Sequence, residues 1–158
     1  MTTKVKNKRP SWDEYFIELA QIVKKRSNCL RSSYGALIVK DFRIISSGYN
    51  GTPQGIKNCF EGGCERCARR QKGEIQTHEY QESCICIHAE QNAIIQAAYQ
   101  GSSTKGATMY STISPCSSCA KMIINAGIIR YVYDKPHHDE EGIKLLKSAG
   151  VNTQKYAK

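Results

Sequence analysis

No apolar run of 18 residues occurs anywhere in this 158-residue chain, and a membrane-spanning helix needs about 20. The basic opening, MTTKVKNKRP, leads into no apolar segment of the kind a secretory leader carries. Residues 1–10 are therefore expected to form a solvated arm, and the protein to be cytoplasmic. Tryptophan is all but missing: Trp12 is the single example. No aromatic set interleaves with lysines, as it does on surfaces that stack single-stranded bases. Internal repeats and low-complexity linkers are absent too. Residues 11–158 are expected to fold as one domain, long enough to enclose one buried core.

What is abundant is positive charge and cysteine. Lysine and arginine number 23 against 14 acidic residues, a formal charge of +9, which favours anionic partners: nucleic acid or phosphorylated small molecules. Four of these charges (Lys4, Lys6, Lys8, Arg9) sit in the arm, where they also serve simply to solvate it, so charge alone does not choose a partner. The eight cysteines are Cys29, Cys59, Cys64, Cys67, Cys84, Cys86, Cys116 and Cys119. A chain with no mark of secretion is a poor setting for disulfides. Two of the pairs have C-x-x-C spacing, which suits metal thiolates.

Ser11 followed by Glu14 reads as a capping box, and Tyr15, Phe16, Leu19, Ile22 and Val23 recur at helical spacing, predicting a helix over 12–26. Gly35–Lys40 and Arg43–Tyr49 flank Asp41-Phe42 and read as a hairpin. Residues 50–86, rich in glycine, cysteine and charge, have no sustained period and form a Cys-rich insertion that something must order. Helices are expected over 89–100, 116–126 and 139–149, strands over 107–113, 128–133 and 151–154. Strands alternating with helices imply a mixed sheet between helix layers.

His88-Ala89-Glu90 opens one of these helices and Pro115-Cys116-Ser-Ser-Cys119 the next. Residues three apart share a helix face, and a helix start lowers thiol pKa values and so favours thiolate. If the two helix starts face each other, His88 completes a nitrogen and two sulfurs. That soft tetrahedral set suits zinc and leaves the fourth position open, the arrangement of a catalytic site rather than a structural one. Such a metal lowers the pKa of water. Glu90, two residues from His88, is placed to move protons without being a ligand. A structural zinc site accounts for C-x-x-C plus a histidine, but not for the glutamate or for proline before the first cysteine.

The H-x-E…P-C-x-x-C pattern resembles the signature of zinc nucleobase deaminases. The likeness extends through Arg43–Pro53 (RIISSGYNGTP), Ile87–Ala97 (IHAEQNAIIQA) and Ser114–Gly127 (SPCSSCAKMIINAG), with Ser11–Phe16 and Arg26–Gly35 also fitting. Over most of residues 11–150 the chain resembles deoxycytidylate deaminases. Tyr34 departs from the pattern, standing where relatives often have a small β-branched residue. The resemblance implies a three-layer α-β-α cytidine-deaminase-like fold with a five-stranded mixed sheet, and hydrolysis of dCMP to dUMP and ammonia, supplying dUMP for thymidylate synthesis. It implies zinc on His88, Cys116 and Cys119, Glu90 as proton shuttle, Asn50 on the substrate sugar, and backbone near Ala89 and Ser114 at the pyrimidine. Asn50 also reads as a turn residue and Ser114 as a helix cap. Lys121 is a phosphate candidate by proximity, or simply a solvated helix lysine.

A second, structural zinc would order the insertion. Cys64-x-x-Cys67 has knuckle spacing, with Cys59 and Cys84 as further ligands. Cys29, Cys86 and His78 are alternates, the resemblance pointing to the region of Cys29 and Cys59 and to upstream histidines. Free buried thiols are the competing reading. The resemblance also implies a hexamer activated by dCTP and inhibited by dTTP, with Mg2+ on the triphosphate, and an effector-associated motif at Gly48-Tyr49-Asn50-Gly51. Two rivals remain: deamination of a base within RNA or DNA, and a zinc-stabilised nucleic-acid-binding module without catalysis.

Overall fold

A computed structural model describes residues 9–157; most of the expected arm lies outside the described residues. Helix α1 (Trp12–Val23) starts at Ser11, whose hydroxyl accepts from the Glu14 N–H at 3.1 Å. The reciprocal bond of a full capping box is not among those formed by the described residues. Asp13 and Glu14 complement the positive helix start, and a short 3-10 turn carries the chain on to Arg26. Strands β1 (Gly35–Lys40) and β2 (Arg43–Tyr49) pair antiparallel. Asp41 and Phe42 turn between them, both at positive φ, as a two-residue hairpin turn of the twist-matched kind requires.

The insertion is not structureless. It holds a helix that the sequence does not signal, α2 (Glu65–Gln71), between short 3-10 turns at Cys59–Glu61 and Gln81–Ser83. Then follow α3 (Ala89–Tyr99), β3 (Thr108–Ile113), α4 (Ser117–Asn125), β4 (Arg130–Lys135), α5 (Glu141–Ser148) and β5 (Asn152–Lys155). The sheet order is β2-β1-β3-β4-β5, antiparallel as far as β3 and parallel beyond it. This is the expected five-stranded mixed sheet.

Alternation along the central strands divides the core into two. Leu37 and Val39 of β1, Tyr110 of β3 and Val132 of β4 face α1 through Phe16, Ile17 and Ala20. Ala36, Ile38, Met109 and Tyr131 face the opposite layer, where Ala93, Ala97, Ala120, Ile123 and Leu146 come from α3, α4 and α5. Because β1 is covered on both faces, five consecutive residues are buried, as is usual for a doubly covered strand. Small residues on α3 let it lie close to the sheet. Among the described residues no helix is long and apolar enough to cross a membrane.

Candidate active site

The sheet's change from antiparallel to parallel pairing at β3 brings two helix starts together. A two-residue bridge clamps Gly51, just after β2, to Ile87, through Gly51 N–H to Ile87 carbonyl at 3.1 Å and the reverse bond at 2.8 Å. His88 follows at once as the residue capping α3, with its own N–H given to Gln91 Oε1 at 3.0 Å. On the neighbouring helix Cys116 is the cap of α4, its sulfur accepting from the Cys119 N–H at 3.5 Å. Cys116, not Ser114, therefore takes the capping position; Ser114 Oγ instead accepts from the His137 N–H at 2.7 Å. The segment is braced from behind by α5: a Cβ at Gly142 would strike the Pro115 carbonyl and the Cys116 backbone.

His88 Nδ1 lies 3.5 Å from Cys116 Sγ and 3.3 Å from Cys119 Sγ, the three forming one compact donor set. A tetrahedral zinc with bonds of about 2.3 Å to sulfur and about 2.0 Å to nitrogen puts those atoms about 3.5 Å apart. The donor set therefore fits zinc in size and in softness. Hydrogen bonding from Cys119, and then from His88, lowers the Cys116 thiol to about 3. The bond shared with Cys116, together with burial, pushes Cys119 up. Two thiolates this close do not both ionise unless a cation stands between them. The hydrogen bond with Cys116 raises His88.

Glu90 is buried at the edge of this set, 3% exposed, with Oε2 3.8 Å from Cys119 Sγ and Oε1 3.2 Å from the Tyr131 hydroxyl. Burial raises its pKa, which makes the carboxylate a ready acceptor of a proton. The Tyr131 hydroxyl also meets the Ile113 carbonyl at 2.8 Å. A protonated Glu90 can thus donate to Tyr131 while Tyr131 donates to Ile113. The strand pattern gives no hint of this role for Tyr131, whose partner is 41 residues away.

A cleft of about 150 Å³ opens in front of His88, Glu90 and Cys116, with Asn50, Ser114 and Tyr34 also on its walls. Asn50 is nearly buried; its Oδ1 accepts from Tyr34 N–H at 2.7 Å and its Nδ2 donates to the Ser32 carbonyl at 2.8 Å. It staples the loop before β1, and one amide hydrogen and one lone pair are left for a ligand. Ala89 is wholly buried in the first turn of α3. Lys121 is exposed and does not line the cleft. Its cations are Arg31, Arg66 and Arg70, which sequence reasoning missed because two of them ride on the unsignalled α2. Burial, and then the charges of Arg31 and Arg66, lower the Arg70 pKa. Among the described residues none of the three forms an ion pair with a carboxylate.

The Gly48–Gly51 stretch, expected from the resemblance to be effector-associated, is split. Gly48 and Tyr49 border a separate depression of about 520 Å³ with Asn92 and Gln96, whereas Asn50 turns into the cleft. The four cysteines favoured for a second metal are also redistributed. Cys59 groups with Cys29, Cys67 and Cys86, while Cys64 and Cys84 group with Cys67 and Cys86; His78 belongs to neither set.

Residues 10–135 match the family described as the cytidine and deoxycytidylate deaminase zinc-binding region. The deoxycytidylate deaminase of Saccharomyces cerevisiae is 40% identical over 150 residues, covering 94% of this chain and 46% of that protein. The chain thus spans about half the length of the first curated relatives it matches. The deoxycytidylate deaminase of Mycobacterium phage D29 is 40% identical over 131 residues, covering 80% of this chain and 97% of its own. The crystal structure of the dCMP deaminase of cyanophage S-TIM5, in complex with dCMP and dUMP, superposes with a TM-score of 0.76 at 31% identity, covering 94% of this chain and 99% of that one. Sequence match, sheet order and the donor set at the two helix starts agree: the chain belongs to the cytidine and deoxycytidylate deaminase family.

Proposed function

We propose that this chain hydrolyses dCMP to dUMP and ammonia, supplying dUMP for thymidylate synthesis. The observation that carries the reading is a three-donor N/S2 set beside a buried carboxyl, in a cleft also lined by three arginines. His88, Cys116 and Cys119 would hold the zinc. When bound, that ion lowers the pKa of water and supplies Lewis acidity. Glu90 takes a proton from the attacking water as its oxygen bonds to C4 of the pyrimidine, and passes it to N3. It then takes the remaining proton from the new C4 hydroxyl and delivers it to the exocyclic amine, so that the C–N bond breaks, ammonia leaves and the C4 carbonyl forms. Tyr131 holds the carboxyl in place. Asn50 engages the sugar, and backbone at Ala89 and Ser114 borders the ring.

Arg31, Arg66 and Arg70 receive the 5′-phosphate, and this is what favours a nucleotide over the free nucleoside. Residues 11–158 act as one deaminase domain, to whose cleft the 50–86 insertion contributes Arg66 and Arg70, and the enzyme works in the cytoplasm. The depression beside Gly48 and Tyr49 supports regulation there, by dCTP as activator and dTTP as inhibitor, with Mg2+ on the triphosphate. A hexamer would cover the exposed aromatic surface where Trp12 stacks on Phe42 at 4.7 Å.

Ammonia release is measured across cytosine, deoxycytidine, dCMP, dCTP and a cytosine-containing oligonucleotide. Activity on dCMP is expected, and activity confined to the oligonucleotide overturns the reading. Arg70→Ala should raise KM for dCMP about 10- to 100-fold, the loss of a charge-assisted bond, and leave deoxycytidine turnover unchanged. Flat responses to both dCTP and dTTP would remove the regulatory part.

A further inference from the structure

The six cysteines outside the His88–Cys116–Cys119 donor set, four of which (Cys29, Cys67, Cys84 and Cys86) also border the cleft, come from four separate stretches of chain. Cys29 follows α1; Cys59 begins a 3-10 turn; Cys64 and Cys67 lie at the start of α2; Cys84 and Cys86 precede the bridge to Gly51. All are free thiols, and their side chains converge. Cys59, Cys64 and Cys67 are buried and constitute the entire buried centre of their cluster, with Leu30 and the other three cysteines packed against it. Three cysteines, one partly buried leucine and, elsewhere in the insertion, buried Ile75 are too little apolar surface to fix a segment of this length. Insertions of this kind draw their folding energy from metal instead.

The arrangement of the sulfurs is specific. Cys29, Cys59, Cys67 and Cys86 form one quartet and Cys64, Cys67, Cys84 and Cys86 a second, the sulfurs of each lying within 4.8 Å of one another. Cys84 Sγ stands 4.0 Å from both Cys64 Sγ and Cys67 Sγ. Tetrahedral zinc with bonds of about 2.3 Å to sulfur has an S···S edge of about 3.8 Å. Neither quartet contains a histidine or a carboxylate.

We infer that these six cysteines form a cage for two zinc ions, with Cys67 and Cys86 as bridging thiolates. Two four-coordinate ions require eight ligand positions, and six sulfurs fill them only if two are shared. The structure shares two, and no more. A single ion in either quartet leaves two of the six thiols beside a filled tetrathiolate with no partner. A single ion on Cys59, Cys64, Cys67 and Cys84 would draw from both quartets and satisfy neither.

The local backbone serves the cage. Gly62 takes φ +92° and Gly63 packs so closely on the Lys57 carbonyl that a Cβ there would collide. The tight reversal they make presents Cys59 and Cys64 to the same interior. The Leu30 N–H points at Cys59 Sγ at 3.3 Å, a contact that favours thiolate. Cys86 stands two residues before His88, so the cage ties the insertion to the start of the catalytic motif.

The test counts metal in the full chain, purified without chelator, by native mass spectrometry and elemental analysis. The parent protein is expected to carry three zinc ions per chain, and the doubly substituted Cys116→Ala/Cys119→Ala protein two. X-ray absorption on that double variant is expected to show an all-sulfur shell and a zinc–zinc vector. One zinc or none in the double variant, a missing zinc–zinc vector, or disulfides among the six cysteines overturns the cage. Two zinc ions in the parent with the vector present would leave the cage standing and remove the catalytic metal, so the two readings fail separately. Cys67→Ser should lose both cage ions together. Should that variant fail to fold, the parent count and the absorption spectrum decide alone.

Discussion

Replacing Glu90 by glutamine isolates proton transfer from every other property of the site. The carboxyl is buried, with Oε1 at 3.2 Å from the Tyr131 hydroxyl and Oε2 beside Cys119. Glutamine has nearly the same volume, fills the same space and keeps a polar partner for Tyr131. It leaves His88, Cys116 and Cys119 untouched. What it removes is the capacity, proposed above for Glu90, to take protons from water and deliver them to the ring and the amine. Positioned general acid–base groups contribute about 10²- to 10⁴-fold, so kcat should fall by that factor, equivalent to about 2.7–5.5 kcal/mol of transition-state stabilisation. Zinc content and melting temperature should match those of the parent, and KM for dCMP should change by less than about threefold, because the group acts on protons rather than on ground-state binding. The assay is ammonia release at saturating dCMP, with metal analysis on the same samples. A kcat within tenfold of the parent with zinc retained refutes the role of Glu90. A kcat that falls only in proportion to lost zinc makes Glu90 a support of the metal rather than a proton carrier.

Tyr131→Phe removes the hydroxyl between Glu90 and the Ile113 carbonyl. It should lower kcat about 3- to 30-fold and cost about 1–2 kcal/mol of stability, through the carbonyl left without a donor; steady-state kinetics and urea unfolding read the two effects, and an unchanged kcat refutes the positioning role. Asp13 receives two bonds from Arg130, at 2.7 and 2.9 Å, and one from Tyr110 at 2.8 Å. The Arg130 hydrogen bonds, above all, hold its pKa below the ordinary aspartate range. Its stabilisation is therefore present above the unfolded pKa and disappears as pH falls through the depressed folded value. Asp13→Asn should cost about 1–3 kcal/mol at neutral pH, and the gap from the parent should narrow as pH falls below the ordinary aspartate range. A gap independent of pH in urea titrations contradicts the ion pair's contribution.

The parts of this molecule legible in its sequence are those whose chemistry depends on neighbours along the chain. The β1–β2 hairpin has the boundaries that its β-prone runs imply, since two positive-φ residues suffice to turn it. His88 and Glu90, and Cys116 and Cys119, are readable because a helix start imposes their relative placement. Helix α2 escaped notice because ERCARRQ has no apolar stripe; the residues it turns inward are Arg66 and Cys67. Its order comes from sulfur and from Arg66 bonds to the Thr77 and Glu79 carbonyls, none of which has a period. Tyr131 likewise meets a partner distant in sequence, and Arg31 and Arg70 reach the same cleft from separate stretches of chain. The cysteine count was plain, but its division into two interlocked quartets is a property of four chain segments meeting in space.

The contact of Gly142 with the Pro115–Cys116 backbone bears on how this domain could be transplanted. The family match ends at residue 135, and a fragment cut at that boundary would retain all of His88, Glu90, Cys116 and Cys119. It would nevertheless lose the wall against which the Pro115–Cys116 peptide rests. It would also lose Leu146 from the interior and the strand that shields the edge of β4. The smallest portable unit is therefore longer than its recognisable motif: a fusion partner or deletion scheme has to carry the chain through β5, although among the described residues none beyond His137 lines the cleft.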